Sequence, residues 1–147
     1  MARRFLLSVV LALSAAAASS GALASAQGPR STLTVGGSAY GRILFDGRGF
    51  ALYGFTRDPR GKSVCAGACA KAWPPYVVKT RPRAAAGVSA RLLGTMRRAN
   101  GAVQVTYAGR PLYYYVGDRK PAQVLCQNVS EFGGIWRVIR PTGALVR

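Results

Sequence analysis

Leu52-Tyr53-Gly54-Phe55-Thr56-Arg57-Asp58 and Leu112-Tyr113-Tyr114-Tyr115-Val116-Gly117-Asp118 are two versions of one pattern, sixty residues apart. Both read Leu-Tyr, an aromatic two residues after the tyrosine, and an aspartate three residues after that. On a strand, residues two apart share a face. Tyr53 and Phe55 are therefore expected to point one way, and Tyr113 and Tyr115 likewise. Shifting the chain by 60 also lays Gly41 on Gly101, Gly49 on Gly109 and Val64 on Val124, so 6 of the 24 positions 41–64 are identical. Average residue usage would give about two. The chain is read as a duplication.

The surroundings of each copy are β-like. Ile43-Leu44-Phe45, then Asp46-Gly47-Arg48-Gly49, then Phe50 to Phe55 reads as strand, tight turn, strand, with Asp-Gly as the turn signal. Val103 to Tyr107, Ala108-Gly109 and Arg110 to Val116 repeat the design. Leu92 to Arg97 is expected to pair with Val103 to Tyr107 across Ala99-Asn100-Gly101, where Asn-Gly supplies the positive φ angles of a turn. Ile135 to Ile139 reads as a further strand stopped by Pro141, and Cys65 to Ala72 as a short helix ended by Pro74 and Pro75. Two copies are too few for a solenoid. The expected fold is mainly β: a single domain of two tandem, pseudo-equivalent β-hairpin-based repeats with short helical turns. Repeat one spans about 33–78, the basic linker KTRPRAAAG 79–87, and repeat two about 88–147.

The first 26 residues stand apart from that domain. Arg3 and Arg4 precede an apolar or small run from Phe5 to Ala18, and Ala24-Ser25-Ala26 supplies small residues for cleavage. This is the layout of a secretory signal. The run of 14 is short for a membrane span, which needs about 20 residues. The mature chain is expected to begin at Gln27, with a tail over 27–32 and no transmembrane segment. No cysteine lies near the cleavage point, so no lipid anchor is expected.

Charge narrows the partners. The 147 residues hold 21 Lys and Arg, 4 Asp and Glu, and no histidine, a net charge of +17. Such a balance attracts anions over long range. For an exported protein the expected partners are anionic envelope polymers or lipid head groups, and nucleic acid is not expected as a native partner. Without histidine there is no Ser-His or Cys-His nucleophile pair and no histidine metal ligand. The acids Asp46, Asp58, Asp118 and Glu131 lie far apart in sequence. No enzyme activity, metal or cofactor is expected, and oligomeric state is not legible.

Three cysteines remain. Cys65 and Cys69 sit four apart, about 6 Å on a helix, within bridging range. Export favours a disulfide. Cys126 is the odd one, able to pair with either or stay free. An envelope redox or metal-handling role for Cys65 and Cys69 is the alternative function. The aromatic rings, with Trp73 and Trp136, are read either as core or as a platform for a ligand between the halves. Asp58 and Asp118 are read as turn-forming acids that satisfy backbone donors or a tyrosine hydroxyl, or as a symmetric pair holding a cation or an arginine.

The Tyr-x-aromatic-x-x-Asp motif occurs twice, as Tyr53-x-Phe55-x-x-Asp58 and Tyr113-x-Tyr115-x-x-Asp118. Around it stand Cys65-x3-Cys69, Trp73-Pro74-Pro75, Gln104-Val105-Thr106-Tyr107-x-Gly109-x-Pro111, Phe132-Gly133-Gly134-x-Trp136 and Pro141-x-Gly143. Over roughly 33–143 the chain resembles the bacterial secreted repeat of unknown function, or lipoprotein-repeat, family. The resemblance implies an extracytoplasmic tandem repeat and no assigned activity. Members are often lipoproteins, but the first cysteine here is Cys65, so lipid anchoring is not carried over.

Overall fold

The computed structural model describes residues 32–147; the expected signal peptide and most of the mature tail lie outside them. Strand β1 (Thr32–Ser38) turns back into β2 (Gly41–Asp46), followed by β3 (Tyr53–Phe55) and the helix α1 (Ala68–Ala72). Then come β4 (Arg83–Ala84), β5 (Leu93–Arg97), β6 (Val103–Tyr107), β7 (Arg110–Pro111), β8 (Val129–Glu131) and β9 (Gly134–Val138). They form three small sheets, ordered β2-β1-β4, β3-β9-β8 and β5-β6-β7. The fold is mainly β, as the patterning predicts.

Several elements differ from the sequence reading. The main partner of β2 is β1, paired from Leu33 opposite Asp46 to Ser38 opposite Gly41. The expected hairpin across Asp46–Gly49 is short: a tight turn closed by Gly49 N–H on Asp46 O (2.9 Å), one bridge from Phe45 to Ala51, and the bonds of Asp46 N–H to Phe50 O (2.9 Å) and Leu52 N–H to Leu44 O (3.2 Å). Asp46 braces the turn as well: its Oδ1 takes the N–H groups of Arg48 and Phe50, both at 2.9 Å. Position 79–87, read as linker, contains β4, which pairs in parallel with β1 at Thr32 and Leu33. The helix begins at Ala68 rather than Cys65.

The two halves are interleaved. Strand β3 of the first half pairs with β9 of the second, setting Phe55 against Trp136 and Tyr53 against Val138. The mirror pairing joins the second motif to the first half. Tyr113 faces Pro75, Tyr114 N–H reaches Pro74 O (2.8 Å) and Val116 N–H reaches Ala72 O (3.1 Å). Pro74 and Pro75 have no N–H to return, so no full strand forms there. The β2 and β6 strands follow the same rule: Leu44 N–H bonds Ile139 O (2.9 Å), and Val105 N–H bonds Tyr76 O (2.8 Å). Each motif strand thus lies beside the tryptophan segment of the other half. Residues 73–116 make one unit contiguously, whereas the other unit needs the C-terminal β9 to complete it.

Between the halves lies a column of rings in the order Phe55, Trp136, Trp73, Tyr115. Centroid separations are 4.2, 4.1 and 4.8 Å, and the first two pairs are parallel within 7°. Tyr53 meets Trp73 edge-on at 5.3 Å, and Tyr113 meets Trp136 edge-on at 5.1 Å. Offset stacks and edge-on pairs are the arrangements that ring quadrupoles favour. Both tryptophans and both motif tyrosines are fully buried. Gly134 makes the approach possible, since a Cβ there would lie 2.5 Å from the Phe55 ring.

Candidate functional site

The motif residues meet at the centre of the molecule. Tyr53 and Tyr113 exchange two backbone hydrogen bonds, N–H to O at 2.8 and 2.9 Å. Their hydroxyls then cross over. Tyr53 OH donates to Asp118 Oδ2 at 2.6 Å, and Tyr113 OH donates to Asp58 Oδ2 at 2.5 Å. The second oxygen of each acid holds its own loop: Asp58 Oδ1 accepts Val64 N–H (2.7 Å), and Asp118 Oδ1 accepts Leu125 N–H (3.0 Å). A carboxylate has two oxygens and here serves two masters, one in each half. The tight turn bond falls on Lys62 N–H to Pro59 O (3.2 Å), one residue later than the Asp-Pro-Arg-Gly pattern suggests, because the Gly61 N–H goes to Gly109 O (2.7 Å) instead.

Each acid is bonded to a different tyrosine, and no group of three or more metal-ligating side chains occurs among the described residues. The space between the halves that could have lodged a ligand is filled by the ring column, and Phe55, Tyr53, Tyr113, Trp73 and Trp136 are all buried. Tyr115 alone of the motif aromatics is half-exposed.

Burial sets the electrostatics. Desolvation, then the bond to Asp118, lifts the Tyr53 hydroxyl far above its ordinary pKa of 10.0; desolvation, then Asp58, does the same for Tyr113. Tyr76 and Tyr114 are lifted by desolvation and by the nearby Asp46. Desolvation also raises Asp58 and Asp118 against the opposing help of their tyrosines. A tyrosine whose folded pKa is raised supports the fold fully below its unfolded pKa and loses that support as pH climbs toward the folded value. The domain should accordingly weaken above pH 10, by about 1.4 kcal/mol per pH unit for each hydroxyl held back. Tyrosinate absorbance followed with circular dichroism would check this: the four hydroxyls should ionise only as the β signal is lost. Smooth ionisation of all seven tyrosines in the folded state would contradict it.

The sulfur chemistry divides between the halves. Cys65 and Cys69 form a disulfide with a Cα separation of 5.3 Å, while Cys126 is a buried free thiol. The matched bonds of Asp58 to Val64 and Asp118 to Leu125 show that one residue has entered the second copy, so Val64 answers Leu125 and not Val124. Cys126 is then the counterpart of Cys65, and the segment after it has no cysteine to answer Cys69. Desolvation pushes the Cys126 thiol up, opposed by a bond with Tyr115, which makes it a poor nucleophile.

Sequence reading missed three participants. Glu131 accepts the Trp73 Nε1–H at 2.8 Å, while Trp136 Nε1, its counterpart, is buried with no acceptor among the described residues. Ser63 Oγ lies 2.6 Å from Tyr113 OH. Arg98 donates to Ser63 Oγ (3.0 Å), Gln104 Oε1 (2.6 Å) and Cys65 O (2.6 Å). Nothing in local spacing marks Arg98. Only the fold brings the 97–100 turn against the 61–67 loop.

A family model described as a secreted repeat of unknown function matches residues 34–76 and again 94–140. No curated protein and no solved structure matches the chain. No helix among the described residues is long and apolar enough to cross a membrane.

Proposed function

Because the chain belongs to the family of secreted repeats of unknown function, we propose that it works outside the cytoplasm as a non-catalytic binding module that holds anionic polymers of the cell envelope. The carrying observation is where the acids go. Asp46 binds Arg48 at 2.8 Å and Tyr114, and this is the one salt bridge among the described residues. Asp58 and Asp118 are taken by tyrosines, and Glu131 by a tryptophan. Each of the four acidic side chains is thus hydrogen-bonded within the fold, with Asp46 and Asp118 buried, Asp58 half-buried and Glu131 exposed. The remaining cations, such as Arg42, Lys71, Arg91 and Arg140, are exposed, and their field is left for an external anion.

The measurement is equilibrium binding of the purified chain to polyphosphate, and in parallel to phosphatidylglycerol vesicles, across a salt series. Polyphosphate binding should weaken roughly tenfold or more between 50 and 200 mM salt, as displacement of several counterions requires. Binding that ignores salt, or no binding at low salt, would refute the charge-driven reading. Tight binding to the vesicles alone would move the ligand to lipid head groups.

A further inference from the structure

We propose that the groove between the Gly61–Gly67 loop and the Arg97–Asn100 turn is a seat for a phosphoryl group. The inference rests on the anion-binding reading above and gives it a place. The groove encloses about 420 Å³, and its walls include Lys62, Ser63, Arg97, Arg98 and Asn100, with no acidic residue among them.

Arg98 is the built part of the site. Its guanidinium is half-buried, and all three of its acceptors, Ser63 Oγ, Gln104 Oε1 and Cys65 O, are neutral. The Asp58 carboxylate feels the Arg98 charge, but its two oxygens are bonded to Tyr113 and to the Val64 N–H rather than to the guanidinium. A cation placed by three neutral acceptors and in no ion pair among the described residues has its orientation fixed before any ligand arrives. Arg97 lies beside it, steadied by a 3.0 Å bond from Nη1 to Gly101 O, with the exposed Lys62 across the groove. Two guanidinium forks and an ammonium match the oxygens of a phosphoryl group, which Arg binds bidentately and Lys as a point charge. The Cys65–Cys69 disulfide ties down the wall that carries Ser63 and the Cys65 carbonyl.

A second groove of about 570 Å³ has Lys79 and Arg81 in its lining. Both are exposed, in a groove whose lining also includes Val78, Thr80, Pro82, Leu93, Thr95 and Val103. It has no counterpart of Arg98, and it serves as the internal control.

The experiment titrates the full chain with pyrophosphate at low salt, following backbone amide shifts. Polyphosphate and phosphatidylglycerol vesicles form two further arms that separate a soluble polymer from a lipid surface. Shifts should concentrate at Lys62, Ser63 and Arg97 to Asn100. The double variant K62E/R97E should weaken pyrophosphate about tenfold, while K79E/R81E, with the same change in charge, should weaken it less than about threefold. Equal losses in the two variants would overturn the site, even with polymer binding intact. So would shifts spread evenly over the surface. Pyrophosphate seated in the groove with no binding to polymer or vesicles would support the site and overturn the envelope-polymer reading instead.

Discussion

A chain lacking residues 134–147 should show no cooperative unfolding transition. Those residues carry β9, the only ladder partner of β3 among the described residues and the partner of β8. They also carry Trp136, Val138, Ile139 and Val146, all buried. Trp136 holds the middle of the ring column, and Ile139 O receives the Leu44 N–H of the first half. Without the segment the first half loses the strand that completes its sheet, and Phe55 and Trp73 each lose a stacking face. Four large apolar side chains at about 2 kcal/mol each amount to much of the 5–15 kcal/mol that holds an ordinary domain together. The check is thermal or urea denaturation followed by circular dichroism and tryptophan fluorescence. A sigmoidal transition in the truncated chain would show that the rest of the domain folds without β9 and that its pairing with β3 is dispensable.

Trp136→Ala should cost about 3–5 kcal/mol, with a midpoint about 10–20 °C lower. The ring is fully buried and contacts Phe55, Trp73 and Tyr113, three residues drawn from both halves. No neighbour can swing in to fill an indole-sized hole between two stacked rings. Replacement by phenylalanine separates packing from hydrogen bonding. Trp136→Phe removes an N–H that has no acceptor among the described residues, whereas Trp73→Phe removes one bonded to Glu131. The Trp73 change should therefore be the worse of the two by about 1 kcal/mol. Urea midpoints of the two variants decide it. Equal costs would mean that the Trp73–Glu131 bond contributes nothing to stability.

Much of this molecule is legible along the chain. The doubled Tyr-x-aromatic-x-x-Asp motif, the β periodicity and the Asn-Gly turn place the duplication, the mainly β class and the β5–β6 hairpin. These features depend on local geometry, on side-chain alternation and on turn residues, all of which a sequence carries directly. The motif residues were marked too, but not what each one touches. Asp58 looks like the head of its own turn, and it is also the acceptor for Tyr113, 55 residues away. Val64 looks like the mate of Val124, and the bonding equates it with Leu125.

By itself, then, the sequence determined that there are two copies, which rings and acids recur in them, and that cations far outnumber acids. The tertiary structure decided that the copies exchange partners. It buried the rings as a shared column rather than exposing them as a platform, and it carried Arg98 to the loop of Ser63 and Cys65. The physical reason is that neither half can satisfy itself. A motif strand three residues long needs a partner strand, a buried tyrosine hydroxyl needs an acceptor, and an indole needs a ring on each face. In a duplicated chain the other copy offers each of these, and that choice is made by packing in three dimensions, where sequence spacing has no say.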